Sequence, residues 1–206
     1  MTAGTDSMKT QLCQILYKIG ALKFGTFKLS NGKLSPYYID LRLVPSFPEA
    51  FHRTCEFYVN LIEDKIKVER FQRIAGIPTA GISFASVIAY HLNKSLVYPR
   101  STQRKHGRER RVEGILMPGD RVLLLDDLVT SGNSLLKAAS AIRAEGGIVS
   151  DAIVLIDREE GGKERLAKDD IELYRLLTAK EAASRLHSIR AITTMEFQTI
   201  LKQRKD

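Results

Sequence analysis

The chain is 206 residues long, 44% hydrophobic and 27% charged, with 32 Lys and Arg against 24 Asp and Glu for a formal net charge of +8. That suits one domain with a real core, and it excludes a disordered chain or a small disulfide scaffold. No apolar run reaches the ~18 residues of a membrane helix and the start is not basic-then-apolar, while Cys13 and Cys55, each inside an apolar helical pattern, read as buried free thiols of a cytoplasmic protein.

Leu12, Ile15, Leu16 and Ile19 recur at helical spacing and predict an amphipathic N-terminal helix. Residues 24–42 carry short apolar stretches broken by Asn31 with Gly32 and by Ser35 with Pro36, the pattern of a hairpin or irregular extended segment. Ser46 and Glu49 resemble a capping box around Pro48, and Phe51, Cys55, Tyr58, Val59, Ile62 and Ile66 then mark one face of a long helix. An alternation follows: strand 73–77, helix 82–92, strand 95–98, a basic loop, strand 121–125, helix 134–145, a stop at Gly146 and Gly147, and strand 148–156. A strand at 171–176 comes next, with helices starting near Thr178 and Thr193, each with a Glu three residues on. Short apolar strands alternating with helices predict an α/β fold, a doubly wound and mostly parallel sheet flanked by helices, with the N-terminal third packed on it.

The positive charge is concentrated. Residues 100–114 hold six bases (Arg100, Arg104, Lys105, Arg108, Arg110 and Arg111) against two acids (Glu109 and Glu113), half of the net charge. Almost nothing apolar lies between Thr102 and Arg111. The segment is therefore either a solvated loop or one that closes on a polyanion, nucleic acid or a phosphorylated small molecule.

Ligands of such sheets bind beyond the carboxyl ends of the strands. There, residues 122–134 (VLLLDDLVTSGNS) run from a buried strand through paired carboxylates, Asp126 and Asp127, and then Leu128, Val129, Thr130, Ser131, Gly132, Asn133 and Ser134 into a helix. Small and hydroxylated residues before a helix leave N–H groups and hydroxyls aimed outward, which makes a phosphate site. Two acids ahead of it suit ribose hydroxyls and a magnesium ion held through water. Neither the dinucleotide fingerprint nor the P-loop pattern occurs.

This segment resembles the phosphoribosyl pyrophosphate (PRPP) motif of the type I phosphoribosyltransferases. Three further segments resemble, in order and spacing, the orotate phosphoribosyltransferases of that family. FKLSNGKLSPYYIDLR is similar to the stretch bordering the pyrimidine pocket, with Asn31 where Ser is usual; Tyr37 and Tyr38 either flank the pyrimidine or pack under the sheet. The basic loop resembles the family's lid, where Arg100, Arg104, and His106 with Gly107 fall into place. IDREEGG at 156–162 resembles the D-R-x-E-x-G segment, which makes Arg158 the orotate-binding arginine, although a salt bridge with Glu159 or Glu160 would also suit it. Ser30, Ser101 and Ala80 stand where the family commonly has lysines, and Thr79 where an aromatic is usual. Arg104, Lys105, Arg108, Arg110 and Arg111 keep the lid positive despite this.

The resemblance implies a type I phosphoribosyltransferase fold in a single domain, 1–206, with a hood from about residues 1–45 plus the C-terminal segment and a PRPP-binding core at about 70–160. It implies transfer of the phosphoribosyl group from PRPP to orotate, giving orotidine 5'-monophosphate and pyrophosphate in pyrimidine biosynthesis. The PRPP site would comprise Arg100, Arg104, Lys105, His106 and residues 126–134, with Asp126, Asp127, Arg104 and His106 as the catalytic set. Backbone amides of Gly76, Ile77, Pro78, Thr79, Ala80 and Gly81 would cradle the pyrophosphate, and Thr130 would join Arg158 at the base. Mg²⁺ would arrive bound to PRPP, water-bridged to Asp126 and Asp127, without a protein metal cage. A homodimer whose lid reaches the neighbouring active site is implied, with neither nucleic acid nor membrane as partner. The rivals are transfer to another base, which would leave Arg158 without a carboxylate, and a PRPP-sensing regulator on nucleic acid, which a pI of about 9.5 would suit.

Overall fold

The computed structural model describes residues 2–28, 32, 34–100 and 111–202. In chain order the elements are α1 (Thr2–Lys18), β1 (Leu22–Lys28), β2 (Leu34–Ile39), a 3-10 turn (Leu41–Ser46), α2 (Pro48–Leu61) prolonged by a π turn (Ile62–Ile66), β3 (Arg73–Gly76), α3 (Ala80–His91), β4 (Ser95–Pro99), β5 (Val112–Glu113), β6 (Arg121–Leu125), β7 (Leu128–Val129), α4 (Asn133–Ala144), β8 (Ile148–Asp157), α5 (Gly162–Ala167), β9 (Glu172–Thr178), α6 (Ala179–Ser188) and α7 (Thr194–Lys202). They form two compact units, one of Met1–Thr54 with Leu176–Asp206 and the other of Cys55–Arg175.

In the first unit β1 and β2 make an antiparallel hairpin with an irregularity between Phe24 and Phe27. Side chains of β2 alternate outward and inward, and Tyr37 is buried at 2% exposure. Tyr38 lies on the other face, its ring 5.5 Å from that of Phe27 and its hydroxyl accepting from Arg42 Nη2 at 2.8 Å. The buried stripe of Leu12, Cys13 and Leu16 gives α1 its inner face. Lys9 Nζ sits 2.6 Å from Glu181 Oε1 of α6, and Arg185 pairs with Asp6. Thr178 and Glu181 close a capping box at the start of α6. Ser46 instead ends the 3-10 turn, and α2 starts at Pro48, whose missing N–H costs nothing in a first turn.

The second unit is built on a seven-stranded sheet, counted among the described residues, in the order β5-β4-β3-β6-β8-β7 with β9 also paired to β8. β4, β3, β6 and β8 are parallel neighbours, while β5 runs antiparallel to β4. Val122, Leu123, Leu124 and Leu125 are each at most 2% exposed, because helices cover both faces of a parallel sheet. Each such side chain contributes about 1.5–3 kcal/mol by its burial. Cys55, Tyr58, Val59, Ile62 and Ile66 are all buried, so the apolar face of α2 continues through the π turn. Cys13 and Cys55 are free thiols, pushed up by burial to about 11 and about 12. Among the described residues no helix is long and apolar enough to cross a membrane.

Candidate active site

The parallel register sets the carboxyl ends of β4, β3, β6 and β8 along one edge of the sheet. Three connections there pack together. After β6, the Asp126 N–H donates to the Ile153 carbonyl at 3.1 Å, extending the ladder with β8 by one step. The Asp127 N–H then donates to Asp126 Oδ1 at 2.9 Å, and the Leu128 N–H to Asp127 Oδ1 at 2.8 Å. Asp126 is 8% exposed. Burial, and then the neighbouring Asp127 charge, push its carboxyl well above the usual carboxylate range. After the two residues of β7, Thr130 and Ser131 are half-buried, while Asn133 and Ser134 at the start of α4 are exposed.

The connection after β3 lies against this acid pair. The Ile77 N–H donates to the Leu125 carbonyl at 3.0 Å. A Cβ on Gly81 would stand 2.6 Å from that same oxygen and 3.1 Å from Asp126 Oδ1, so only a glycine lets α3 begin here. The Pro78–Thr79 peptide is cis, and Thr79 is exposed.

The third connection, after β8, braces the loop that precedes α4. The Arg158 N–H donates to the Val129 carbonyl at 3.0 Å. A Cβ on Gly162 would come within 2.4 Å of the Thr130 oxygen and 2.7 Å of Val129 Cγ2. Arg165 Nη1 donates to the Ser131 carbonyl at 2.9 Å. Asp157 accepts from the Glu159 N–H at 2.8 Å, and Arg175 Nη1 lies 3.5 Å from it. Its carboxyl is raised by burial against those two partners. The Arg158 side chain is 2% exposed, and its Nε lies 2.9 Å from Glu160 Oε1.

This arrangement, a turn of small and hydroxylated residues and paired acids beside a glycine-held loop, occurs in a chain with well-defined relatives. Residues 58–186 match the phosphoribosyl transferase domain family. The orotate phosphoribosyltransferase of Cenarchaeum symbiosum (strain A) is 45% identical over 173 residues, 84% of this chain and 86% of that one. The chain belongs to the orotate phosphoribosyltransferase family. The crystal structure of orotate phosphoribosyltransferase from Aeropyrum pernix superposes with a TM-score of 0.74 at 31% identity, over 87% of this chain and 99% of that one. Leishmania donovani UMP synthase superposes with a TM-score of 0.83 at 30% identity; 93% of this chain spans 41% of that longer one.

For this phosphoribosyltransferase the structure therefore brings together, on one sheet edge, residues 76–81, residues 126–134 and Arg158. Arg100 follows β4 on that edge, its N–H donating to the Arg111 carbonyl at 2.9 Å and its guanidinium paired with Glu113. Arg104, Lys105, His106 and Ser101 of the basic loop, and Ser30 and Asn31 of the hairpin, lie outside the described residues. Tyr37 and Tyr38 belong to the first unit. Sequence reasoning missed the braces: Tyr58, whose hydroxyl donates to the Asp126 carbonyl at 2.6 Å, and Gly162 and Arg165 on α5. A pair of glycines after the D-R segment was the available signal for α5.

Proposed function

We propose that this chain transfers the 5-phosphoribosyl group of PRPP to orotate, yielding orotidine 5'-monophosphate and pyrophosphate. The observation that carries the reading is the packing of three strand-end connections around Asp126: Gly81 against its carboxylate on one side, and the Val129 to Gly132 turn locked to Arg158 and Gly162 on the other. The shared name of the relatives favours orotate over another base.

In this reading the turn at 130–134 and the N-terminus of α4 hold the 5-phosphate, and Asp126 and Asp127 accept hydrogen bonds from the ribose hydroxyls. The C1–oxygen bond breaks with its electron pair passing to pyrophosphate, an orotate ring nitrogen bonds to C1, and its proton is released. Amides of residues 76–81 meet the leaving group, and Arg104, Lys105 and His106, assigned on sequence alone with Arg100, neutralise its growing charge. The planar fork of Arg158, its plane set by Glu160, takes the orotate carboxylate beside Thr130. Among the described residues no group of three or more His, Cys, Asp or Glu is placed to hold a metal. The two adjacent carboxylates fit an outer-sphere role toward Mg²⁺ carried by PRPP, which would supply charge neutralisation. We further propose that the enzyme is a cytoplasmic homodimer, as the family resemblance implies; Val87 and Tyr90 of α3 are exposed apolar surface.

Mixing the protein with orotate, PRPP and Mg²⁺ tests the reading: orotate absorbance falls only when all three are present. Arg104→Ala and His106→Ala should each lower turnover far more than they weaken orotate binding. Orotate that survives every combination, with PRPP still raising the melting temperature, would overturn the reaction and leave the PRPP site.

A further inference from the structure

Tyr58 belongs to none of the segments that mark the site, yet it reaches the acid pair from 68 positions away in sequence. Its side chain is fully buried, with its ring centroid 5.6 Å from that of Phe84. Its hydroxyl donates to the Asp126 carbonyl at 2.6 Å. That carbonyl and the Asp127 N–H belong to one planar peptide unit, so they can only turn together. The Asp127 N–H is in turn the donor that holds Asp126 Oδ1 at 2.9 Å, and the next N–H holds Asp127 Oδ1 at 2.8 Å. We propose that Tyr58 is a positioning residue for PRPP: by fixing the plane of the peptide between Asp126 and Asp127, its hydroxyl sets the direction of the Asp126 carboxylate.

The physical case is that a buried carbonyl deprived of its donor turns toward another. Here any such rotation would carry the Asp127 N–H away from the Asp126 carboxylate. The Asp126 N–H bond to Ile153 holds the peptide before this one, and the Leu155 N–H on the Asp127 carbonyl at 3.1 Å holds the peptide after it; neither is a bond of the peptide between them. The proposal rests on the reading that the acid pair binds the ribose of PRPP.

Tyr58→Phe removes the hydroxyl and keeps the ring against Phe84. Initial rates with PRPP and orotate varied separately should show KM for PRPP raised about 5- to 10-fold and KM for orotate within about twofold of wild type. Ile142→Val, a truncation on the buried face of α4 near its C-terminal end, provides the structural control: a lower Tm with both KM values unchanged. Should Tyr58→Phe not fold, 4-fluorophenylalanine at position 58 keeps the ring against Phe84 and most of the hydroxyl's volume without a donor, and carries the same expectation. An unchanged KM for PRPP, or equal rises for both substrates, overturns the proposal. Asp127→Asn, measured alongside, separates the two ideas. If it raises KM for PRPP and Tyr58→Phe does not, the tyrosine proposal fails alone; if neither does, the acid-pair reading fails with it.

Discussion

The acid loop after β6 and the stem of the basic loop after β4 leave the same edge of the sheet and are fastened in opposite ways. Around Asp126 the fastenings are neutral and buried, with the Arg165 guanidinium on the Ser131 carbonyl the one charged exception among those described: a ladder bond to Ile153, the Tyr58 hydroxyl on the carbonyl, the Arg158 N–H on Val129, and Gly162 pressed on Thr130. At the stem they are ionic and partly open. Glu145 Oε1 accepts from the Arg111 and Val112 N–H groups at 2.7 and 3.0 Å, and Arg100 pairs with Glu113 at 22% and 35% side-chain exposure. Close-packed neutral contacts fix shape to tenths of an ångström and tolerate no added volume. Exposed charge pairs fix position loosely and are weakened by salt. The difference teaches where this molecule is intolerant of change.

The largest effect should come from adding volume to the acid loop's brace. Gly162→Val puts branched carbon where even a Cβ would stand 2.4 Å from the Thr130 oxygen, so the turn at 130–132 must move. Denaturant unfolding should show a loss of about 1–3 kcal/mol. KM for PRPP should rise more than KM for orotate. A variant as stable and as active as the parent would break the comparison at its strongest point.

Next in size is Glu145→Ala, which leaves the stem's two N–H groups to water. The cost should be about 1.5 kcal/mol or less, and it should be local. Hydrogen exchange should quicken at Arg111 and Val112 and stay unchanged at Asp126, whose N–H donates to Ile153. Equal quickening at both places would show that the two fastenings are one cooperative unit rather than two.

Much of this was legible in the sequence, and the exceptions have physical reasons. Strand 121–125 was readable because a continuous apolar run is bounded by Pro118, Gly119 and the acid pair, and the structure has β6 over those residues. The helix after Gly132 starts at Asn133, one residue before the expected start. Neither β5 nor β7 was readable, since two residues carry no periodicity and their pairing is decided by neighbours distant in sequence. The six residues of α5 are too few to show a helical period, so only Gly161 and Gly162 ahead of them marked the place, the second of them a close-packing glycine. Tyr58 was readable as a core position on α2, because helical spacing reports burial. That its hydroxyl serves Asp126 is a fact of tertiary packing that no local pattern encodes.

The smallest expected effect probes a fastening of intermediate kind, at the opposite end of β6. Asp120 Oδ2 accepts from the Met117 N–H at 2.8 Å and from Arg73 Nε at 2.6 Å, with both ion-pair side chains about 15% exposed. Burial works against its charge, but the Met117 bond and the Arg73 guanidinium outweigh it and hold the carboxyl below its ordinary value of 3.8. The ionised form is thus favoured more in the folded chain than in the unfolded one, so the stability it adds is present above the ordinary value and lost as pH falls through the folded one. Asp120→Asn keeps the shape and removes the charge. Its Tm should lie below wild type near neutral pH, by the equivalent of about 1 kcal/mol or less, and the gap should close as pH falls below the carboxyl's ordinary value of 3.8. A gap that stays constant across that range would mean that the shape of the turn, and not the carboxylate's charge, holds this end of the strand. The half-buried ion pair would then belong with the neutral fastenings around Asp126 rather than with the ionic stem.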